Sequence, residues 1–333
     1  MFSVPGFTAG LFSNNVNFDD LACRLFNYQY ENNSLYHAYV EALKIPVASI
    51  KRAEDIPFLP IGFFKTQEVK TGRYKPQLIF ESSGTTQTIQ SRHYIKDSSL
   101  YEKSFRNGFE RFYGNVKDYV VLGLLPSYLE RENSSLVYMV NNMIQRSGHP
   151  ESGFYLHAHD KLYYQVSGLE KEKKKTLLIG VTFALLDFME KYTPPLEHTI
   201  VMETGGMKGR REEWTREEVH RFLKEKSGIK QVHSEYGMTE LLSQAYSAGG
   251  GTFYTPPWMK IFMRDESDPL HLLPLPRSGS SQQGIINVID LANIHSCAFI
   301  ATDDAGKVFS DGSFQVSGRT DNSDLRGCSL MIP

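Results

Sequence analysis

The sequence predicts an α/β fold: mixed or largely parallel sheets flanked by helices, with a small β-rich part toward the carboxyl end. Three observations carry this. Between residues 77 and 255, short apolar runs of strand length alternate with stretches whose apolar residues recur every three or four positions. Residues 18 to about 55 carry the helical period, and 1–76 read as a helical N-terminal region packed on that core. Residues 256–333 hold shorter apolar runs separated by Gly, Asp and Pro, the pattern of antiparallel strands and turns.

The elements follow in order. Asp19 to Tyr28 and Ser34 to Leu43 have helical spacing, and Pro57 and Pro60 end that region. Gln77 to Glu81 is a strand running into Ser82-Ser83-Gly84-Thr85-Thr86. Tyr119 to Leu125 is a buried strand stopped by Pro126, and Ser134 to Gln145 is a helix. Thr176 to Val181 is a strand and Phe183 to Tyr192 a helix. His198 to Met202 is a strand that leads into Thr204-Gly205-Gly206. Thr215, with Glu218 three residues on, is a capping box and opens a helix to about Lys226. Ile229 to Ser234 is a strand leading into Tyr236-Gly237-Met238-Thr239-Glu240. Short strands follow at 259–263, 284–290, 297–302, 307–309 and 314–316.

Composition narrows the function classes. The 333 residues are 41% hydrophobic and 22% charged, ordinary for a globular protein. A net charge of -2 lacks the clustered basic excess of a nucleic-acid binder. No window approaches the run of about 18 apolar residues that spans a membrane, and the first residues lack the pattern of a signal peptide. Cys23, Cys297 and Cys328 have no metal-like spacing, and an odd, small number suits a reducing compartment. A cytoplasmic protein is the expectation. The 21 Phe and 18 Tyr fit either a packed core or an apolar channel for an acyl or aryl substrate.

Six stretches carry candidate chemistry. Ser82 to Thr86, after a strand, is a run of small hydroxyl residues around a Gly. It can turn its N–H groups and hydroxyls onto a phosphate, or be a polar surface turn. It lacks the Gly-Lys-Ser/Thr ending of a Walker loop. Tyr236 to Glu240 follows a strand, where an aromatic, a hydroxyl and a carboxylate can line a nucleotide pocket and Glu240 can take Mg²⁺; it can equally be a helix start. Thr302-Asp303-Asp304 and Gly318-Arg319-Thr320-Asp321 offer an Asp for ribose hydroxyls and an Arg for ribose or phosphate, or are two hairpin turns. His157-Ala158-His159-Asp160 has the look of a metal pair without a convincing third ligand, and His157 and His159 fit better as lining of an acyl pocket. His233-Ser234-Glu235 is similar to a zinc-deaminase fragment but lacks its Pro-Cys-x-x-Cys partner.

Taken in order over roughly residues 78–328, the Ser-Ser-Gly-Thr-Thr loop, Tyr-Gly-Met-Thr-Glu, Thr-x-Asp and Gly-Arg-x-Asp with Arg326-Gly327 resemble the adenylate-forming ligase superfamily. Its members include acyl-CoA ligases, luciferases and peptide-synthetase adenylation domains. The longer strings Glu81 to Thr86 with Ser91-Arg92-His93, and Gly318 to Asp321 with Leu325 to Cys328, look like the acyl-protein synthetases of bacterial luminescence (LuxE type). The resemblance implies the large domain of that fold, with the lysine-bearing carboxyl-terminal small domain absent or rudimentary. It implies ATP and Mg²⁺ as cofactors. Ser82, Ser83, Gly84, Thr85 and Thr86 would hold phosphates. Thr204, Gly205 and Gly206 would lie along the adenine, with Tyr236 and Gly237 beside it and Tyr236 stacking. Thr239 and Glu240 would serve phosphate and metal, Asp304 the ribose, Arg319 its neighbourhood, and Met238 the substrate pocket. Cys328 would accept the acyl group. The loop departs from the family in continuing Gln87-Thr88-Ile89 where Gly and later Lys are usual, which makes Arg92 and His93 the candidates for the missing charge.

The chemistry so implied starts from a carboxylate, whose leaving group would be oxide. Attack on the α-phosphate of ATP makes AMP the leaving group, and a thiolate then takes the acyl group. The thiol is Cys328, or that of CoA, a carrier protein or an acyl-accepting reductase. A partner protein that binds the nucleotide or acyl-adenylate without turnover is the reading from another class.

Overall fold

The computed structural model describes residues 2–13, 17–83, 89–126, 131–205 and 214–320. The chain begins with helices α1 (Val4–Leu11), α2 (Phe18–Asn32) and α3 (Ser34–Ala42). Then come β1 (Leu59–Pro60), the single turn α4 (Phe63–Thr66), β2 (Leu78–Glu81), β3 (Arg92–Ile95) and α5 (Ser98–Tyr113). An alternating stretch follows: β4 (Val120–Leu124), α6 (Ser135–Ser147), β5 (Gly153–Phe154), α7 (His159–Lys171), β6 (Thr176–Val181) and α8 (Thr182–Lys191). It continues with β7 (Thr199–Thr204), α9 (Arg216–Ser227), β8 (His233–Tyr236) and β9 (Ala245–Ser247). The last strands are β10 (Met259–Arg264), β11 (Ser281–Asp290), β12 (Phe299–Phe309) and β13 (Phe314–Arg319). No helix among the described residues is long and apolar enough to cross a membrane.

Two compact units form. One takes in the described residues of 109–237 and 245–253. It is built on a six-stranded sheet of order β5-β4-β6-β7-β8-β9, parallel except for the antiparallel β9. Every residue of β4 and β6 is buried, which is why both read as unbroken apolar runs rather than alternating ones. Because the strands are parallel, their carboxyl ends share one edge, the usual place for ligands in such sheets. Helix α9 starts at the expected capping box, with the Thr215 hydroxyl and the Glu218 carboxylate each satisfying the other's backbone N–H, and it stops at Gly228 with φ +74°.

The other unit takes in the described residues of 1–108, 238–244 and 254–321. Its main sheet runs β1-β12-β11-β10, with β13 also paired to β12, and β2 with β3 forms a separate antiparallel pair. Helix α2 is tied to the turn after β11 by Gln29. That buried side chain donates to the Asn293 carbonyl (2.7 Å) and accepts from the Ala298 N–H (2.9 Å).

Several expectations are adjusted. The strand expected at 229–234 lies at His233–Tyr236, because Gly228 turns the chain out of α9 and pairing with β7 begins only where Met202 faces His233. The strands expected at 297–302 and 307–309 are one, β12. It pairs with β11 on one side and β13 on the other, so its polar middle, Asp303-Asp304, stays in register through a bulge at Ala305/Gly306. Helices α5 and α7 and strand β3 were not anticipated. Each helix carries an interior glycine, Gly108 and Gly168, that blurs its apolar stripe.

Candidate active site

Two polar clusters, one in each unit, contain most of the described residues singled out from the sequence. In the unit of the β10–β13 sheet, the strands β2 and β3 bring Ser82 and Ser91 together at the base of a loop. The Ser82 N–H donates to the Ser91 carbonyl (3.0 Å), and the Ser91 N–H donates to the Ser82 Oγ (2.9 Å). Ser83 is exposed beside it. Gly84, Thr85 and Thr86 lie outside the described residues, as do Gly206 and Cys328.

Glu240 meets this loop base. Its carboxyl group is buried, and burial raises its pKa above the ordinary carboxylate value. The Ser91 hydroxyl donates to it and the Arg319 charge opposes the rise, while the Asp304 charge adds to it. Asp304 and Arg319 face each other across β12 and β13, with Arg319 Nε 3.2 Å from Asp304 Oδ1. The Arg319 side chain is 66% exposed, so this pair contributes at most about 1 kcal/mol to stability; its geometry suits a ligand more than a core. The Thr-x-Asp spacing has a local cause. The Thr302 hydroxyl donates to the Ile286 carbonyl (2.7 Å) and accepts from the Asp304 N–H (3.1 Å), which fixes Asp304 on its strand.

His93 does not supply the charge missing from the loop. It is buried, its pKa is pushed down to about 4 by burial, and its Nδ1 lies 2.8 Å from the Thr239 carbonyl. The neutral ring with the proton on Nδ1 donates to that carbonyl. Arg92 is exposed.

The second cluster sits at the carboxyl ends of β7 and β8. The Thr204 hydroxyl donates to the Glu235 carboxyl, directly opposite it in the sheet. Gly205 has φ +72°, and its carbonyl accepts from the Thr182 hydroxyl (2.9 Å). The Thr182 hydroxyl also reaches Glu203 (3.2 Å). Burial works against a charged Glu203, yet His220 with its Nε2 3.7 Å away, the charge of Arg216 at 3.4 Å and the Ser234 hydroxyl hold its pKa below the usual value. Glu235 is pushed the other way, up to about 7, by burial and by the neighbouring Glu203 charge. Tyr236 is buried with its ring 5.9 Å from that of Phe253, and Gly237 is exposed; Met238 and Thr239, which belong to the other unit, are half-buried.

His157 and His159 follow β5 on the same edge of the six-stranded sheet. His159 packs edge-on against Phe188 (5.8 Å), and burial lowers its pKa. Among the described residues no group of three or more His, Cys, Asp or Glu could hold a metal by itself. A metal held here would therefore share its ligands with phosphates, as magnesium does when one or two carboxylates bind it. Glu240, buried and raised further by Asp304, offers the hard oxygen such an ion prefers.

Sequence reasoning quoted Ser91 within a motif but gave it no role, and it missed Glu203, Thr182, Arg216 and His220. Ser91 had a signal, since a β-hairpin must close and Ser91 stands where β3 returns. The others are joined through sheet pairing and helix packing, which no spacing in the sequence reports.

No family model matches the sequence, and no curated protein matches it significantly. Solved structures do. The structure of 2-hydroxyisobutyryl-CoA ligase in complex with 2-HIB-AMP and CoA aligns over 96% of this chain and 70% of its own, with TM-score 0.60 and 11% identity. O-succinylbenzoate CoA synthetase (MenE) from Bacillus subtilis, in complex with ATP and a magnesium ion, aligns over 72% of this chain at TM-score 0.50 and 16% identity. The same enzyme with its acyl-adenylate OSB-AMP also gives 0.50 and 16%. The chain spans 49% of the length of MenE in the ATP complex. At these identities the likeness is one of backbone architecture, and it agrees with the mixed α/β layout described above: this chain has the fold of the adenylate-forming ligases.

Proposed function

We propose that the protein activates a carboxylic acid with ATP, forming acyl-AMP and pyrophosphate, and passes the acyl group to a thiol. The observation that carries this reading is the gathering of the Ser82–Ser91 loop base, Glu240, Asp304 and Arg319 in one unit of an adenylate-forming fold. In the reaction a carboxylate oxygen attacks the α-phosphorus, and the bond to pyrophosphate breaks. Anions must be brought together, so positioning and charge neutralisation supply the rate. The loop after β2 would bind phosphate through N–H and hydroxyl groups, Arg319 would answer phosphate or ribose charge, and Asp304 would accept from ribose hydroxyls. Magnesium, held by Glu240, would neutralise phosphate charge.

The acceptor is a thiol, and the three cysteines are not equivalent. Cys297 is fully buried and its thiol is pushed up to about 12, and burial with the nearby Asp19 charge raises Cys23. Both are poor nucleophiles, since the thiolate is the reactive form. That supports Cys328 as the acyl-accepting residue of an acyl-protein synthetase acting on a fatty acid. The second reading, CoA as an external acceptor, is favoured by the CoA-bound state of the 2-hydroxyisobutyryl-CoA ligase structure.

The test is acid-dependent ATP–pyrophosphate exchange across a panel of aliphatic and aromatic acids, with intact-mass detection of acylated protein. Exchange is expected with at least one acid class, and Cys328→Ala is expected to lose the acyl mass while keeping exchange. No exchange with any acid in the panel overturns adenylation. Acylation that survives Cys328→Ala overturns the self-acceptor.

A further inference from the structure

The peptide that carries Thr239 and Glu240 is irregular, with neither helix nor strand from residue 237 to 244. An irregular backbone leaves its N–H and C=O groups to be satisfied by something else. Here three buried side chains do it, all within the same unit. His93 Nδ1 meets the Thr239 carbonyl at 2.8 Å. The Asn293 Nδ2 donates to the Glu240 carbonyl at 2.8 Å. Asp290 Oδ2 accepts from the Leu242 N–H (2.8 Å) and the Ser243 N–H (2.9 Å), and its Oδ1 accepts from the Ser243 hydroxyl (2.6 Å) and the Ala292 N–H (3.1 Å). The Ser243 hydroxyl in turn accepts from the Trp258 indole N–H at 3.0 Å. Asp290 and Asn293 are both wholly buried.

We infer that Asp290 and Asn293, with His93, are positioning residues that fix the 239–243 backbone and so hold the Glu240 carboxyl at the Ser91 and Arg319 side of its cluster. The geometry favours this over a purely structural role. A buried carboxylate is costly unless its oxygens are filled by donors, and a hydrophobic turn would need no charge at all. Three of the four hydrogen bonds that Asp290 accepts come from Leu242 and Ser243, two and three residues after Glu240, and Asn293 bonds to the Glu240 carbonyl. The grips fall on both flanks of Glu240, whose acidic side chain meets the loop base. Asp290 is the last residue of β11 and Asn293 lies in the turn just after it, so the five-stranded sheet carries the peptide.

The inference deepens the adenylation reading and rests on it for its catalytic part. Its backbone part does not, and two separate readouts keep them apart. The first is amide hydrogen exchange on the unliganded protein. In Asp290→Asn an NH₂ group can replace an accepting oxygen, so the peptide covering 239–243 is expected to exchange at least tenfold faster, while peptides from β10 to β12 keep their rates. The second is the magnesium dependence of ATP–pyrophosphate exchange, with calorimetry of a non-hydrolysable ATP analogue and magnesium as its binding counterpart. Asp290→Asn and Asn293→Ala are each expected to raise the half-saturating magnesium concentration about tenfold and leave the KM for the acid within about twofold. His93→Gln, whose amide can still donate to the Thr239 carbonyl, is expected to stay near wild type. A fall in kcat with the magnesium requirement unchanged means only less folded enzyme, and that result overturns the positioning role. Unchanged exchange at 239–243 in Asp290→Asn overturns it as well. Should Asp290→Asn fail to fold, the Asn293→Ala magnesium titration decides. If wild-type protein binds no nucleotide and shows no exchange reaction, the adenylation reading falls, and the hydrogen-exchange result still decides whether the three side chains fix this peptide.

Discussion

Glu235 is the side chain whose titration most directly reports on its surroundings. It is buried beside Glu203, and burial with that neighbour's charge pushes its pKa up to about 7 against 4.5 for an ordinary Glu. The folded protein therefore holds a proton there that the unfolded chain has released. The stability this contributes is full below pH 4.5 and is lost as pH rises through 7. Gln carries no charge and its carbonyl can still accept from the Thr204 hydroxyl. Glu235→Gln is thus expected to gain on the wild type as pH rises from 5 to 8.5, by up to about 3 kcal/mol. Urea melts at the two pH values measure it, and an equal difference at both would show that Glu235 does not hold the proton. His93 has the opposite sign: with its pKa lowered to about 4, its contribution is present above about 6.5 and is lost as pH falls through 4. Residue chemistry was unevenly legible in the sequence. Glu240, Asp304 and Arg319 stand in short motifs and could be named. Asp290, Asn293 and His93 reach the 239–243 peptide from 47 to 146 positions away, a distance no local pattern spans.

At the scale of elements, what could be read depended on how each is buried. Strand β6 was legible to the residue, because a parallel strand buried on both faces is a continuous apolar run bounded by polar turns. Helix α9 was legible by its cap. Strand β12 was not, because its middle is polar on account of the candidate site it carries, and a polar gap in one strand looks the same as a turn between two. The bulge there also gives a sharp test. A Cβ at Gly306 would stand 2.2 Å from the Gln315 carbonyl and 3.0 Å from the Ile286 Cδ1. The closer of these is backbone, so β13 must shift for any side chain to fit. Gly306→Ala is expected to lower stability by about 1–3 kcal/mol, as overpacking does. It should also weaken nucleotide binding beyond that loss, because β13 carries Arg319 opposite Asp304. Thermal melts and calorimetry on the same variant separate the two. Normal stability with Gly306→Ala would mean that the pairing of β12 and β13 is looser than the register indicates.

For the whole molecule, binding and folding are one equilibrium. A ligand that binds only the folded chain stabilises it by about 2.7 kcal/mol at a hundred times its Kd, whatever the later chemistry. ATP with magnesium is therefore expected to raise the melting temperature, and chelating the magnesium should remove part of the gain. Which residues carry which part follows from their chemistry. Glu240 places a buried carboxyl at the loop base, so Glu240→Gln should abolish the magnesium-dependent part and spare the rest; the neutral amide costs little where burial already disfavours charge. Asp304→Asn removes the partner of Arg319, so it should reduce the gain with and without magnesium. The two variants divide the ligand's contribution between metal and nucleotide without any assay of turnover. A binding-only protein would show the same shifts, so the melts test the site and the exchange reaction tests the activity. Equal stabilisation by ATP with and without magnesium in the wild type would remove Glu240 from the metal and leave the buried carboxyl without the role its position implies.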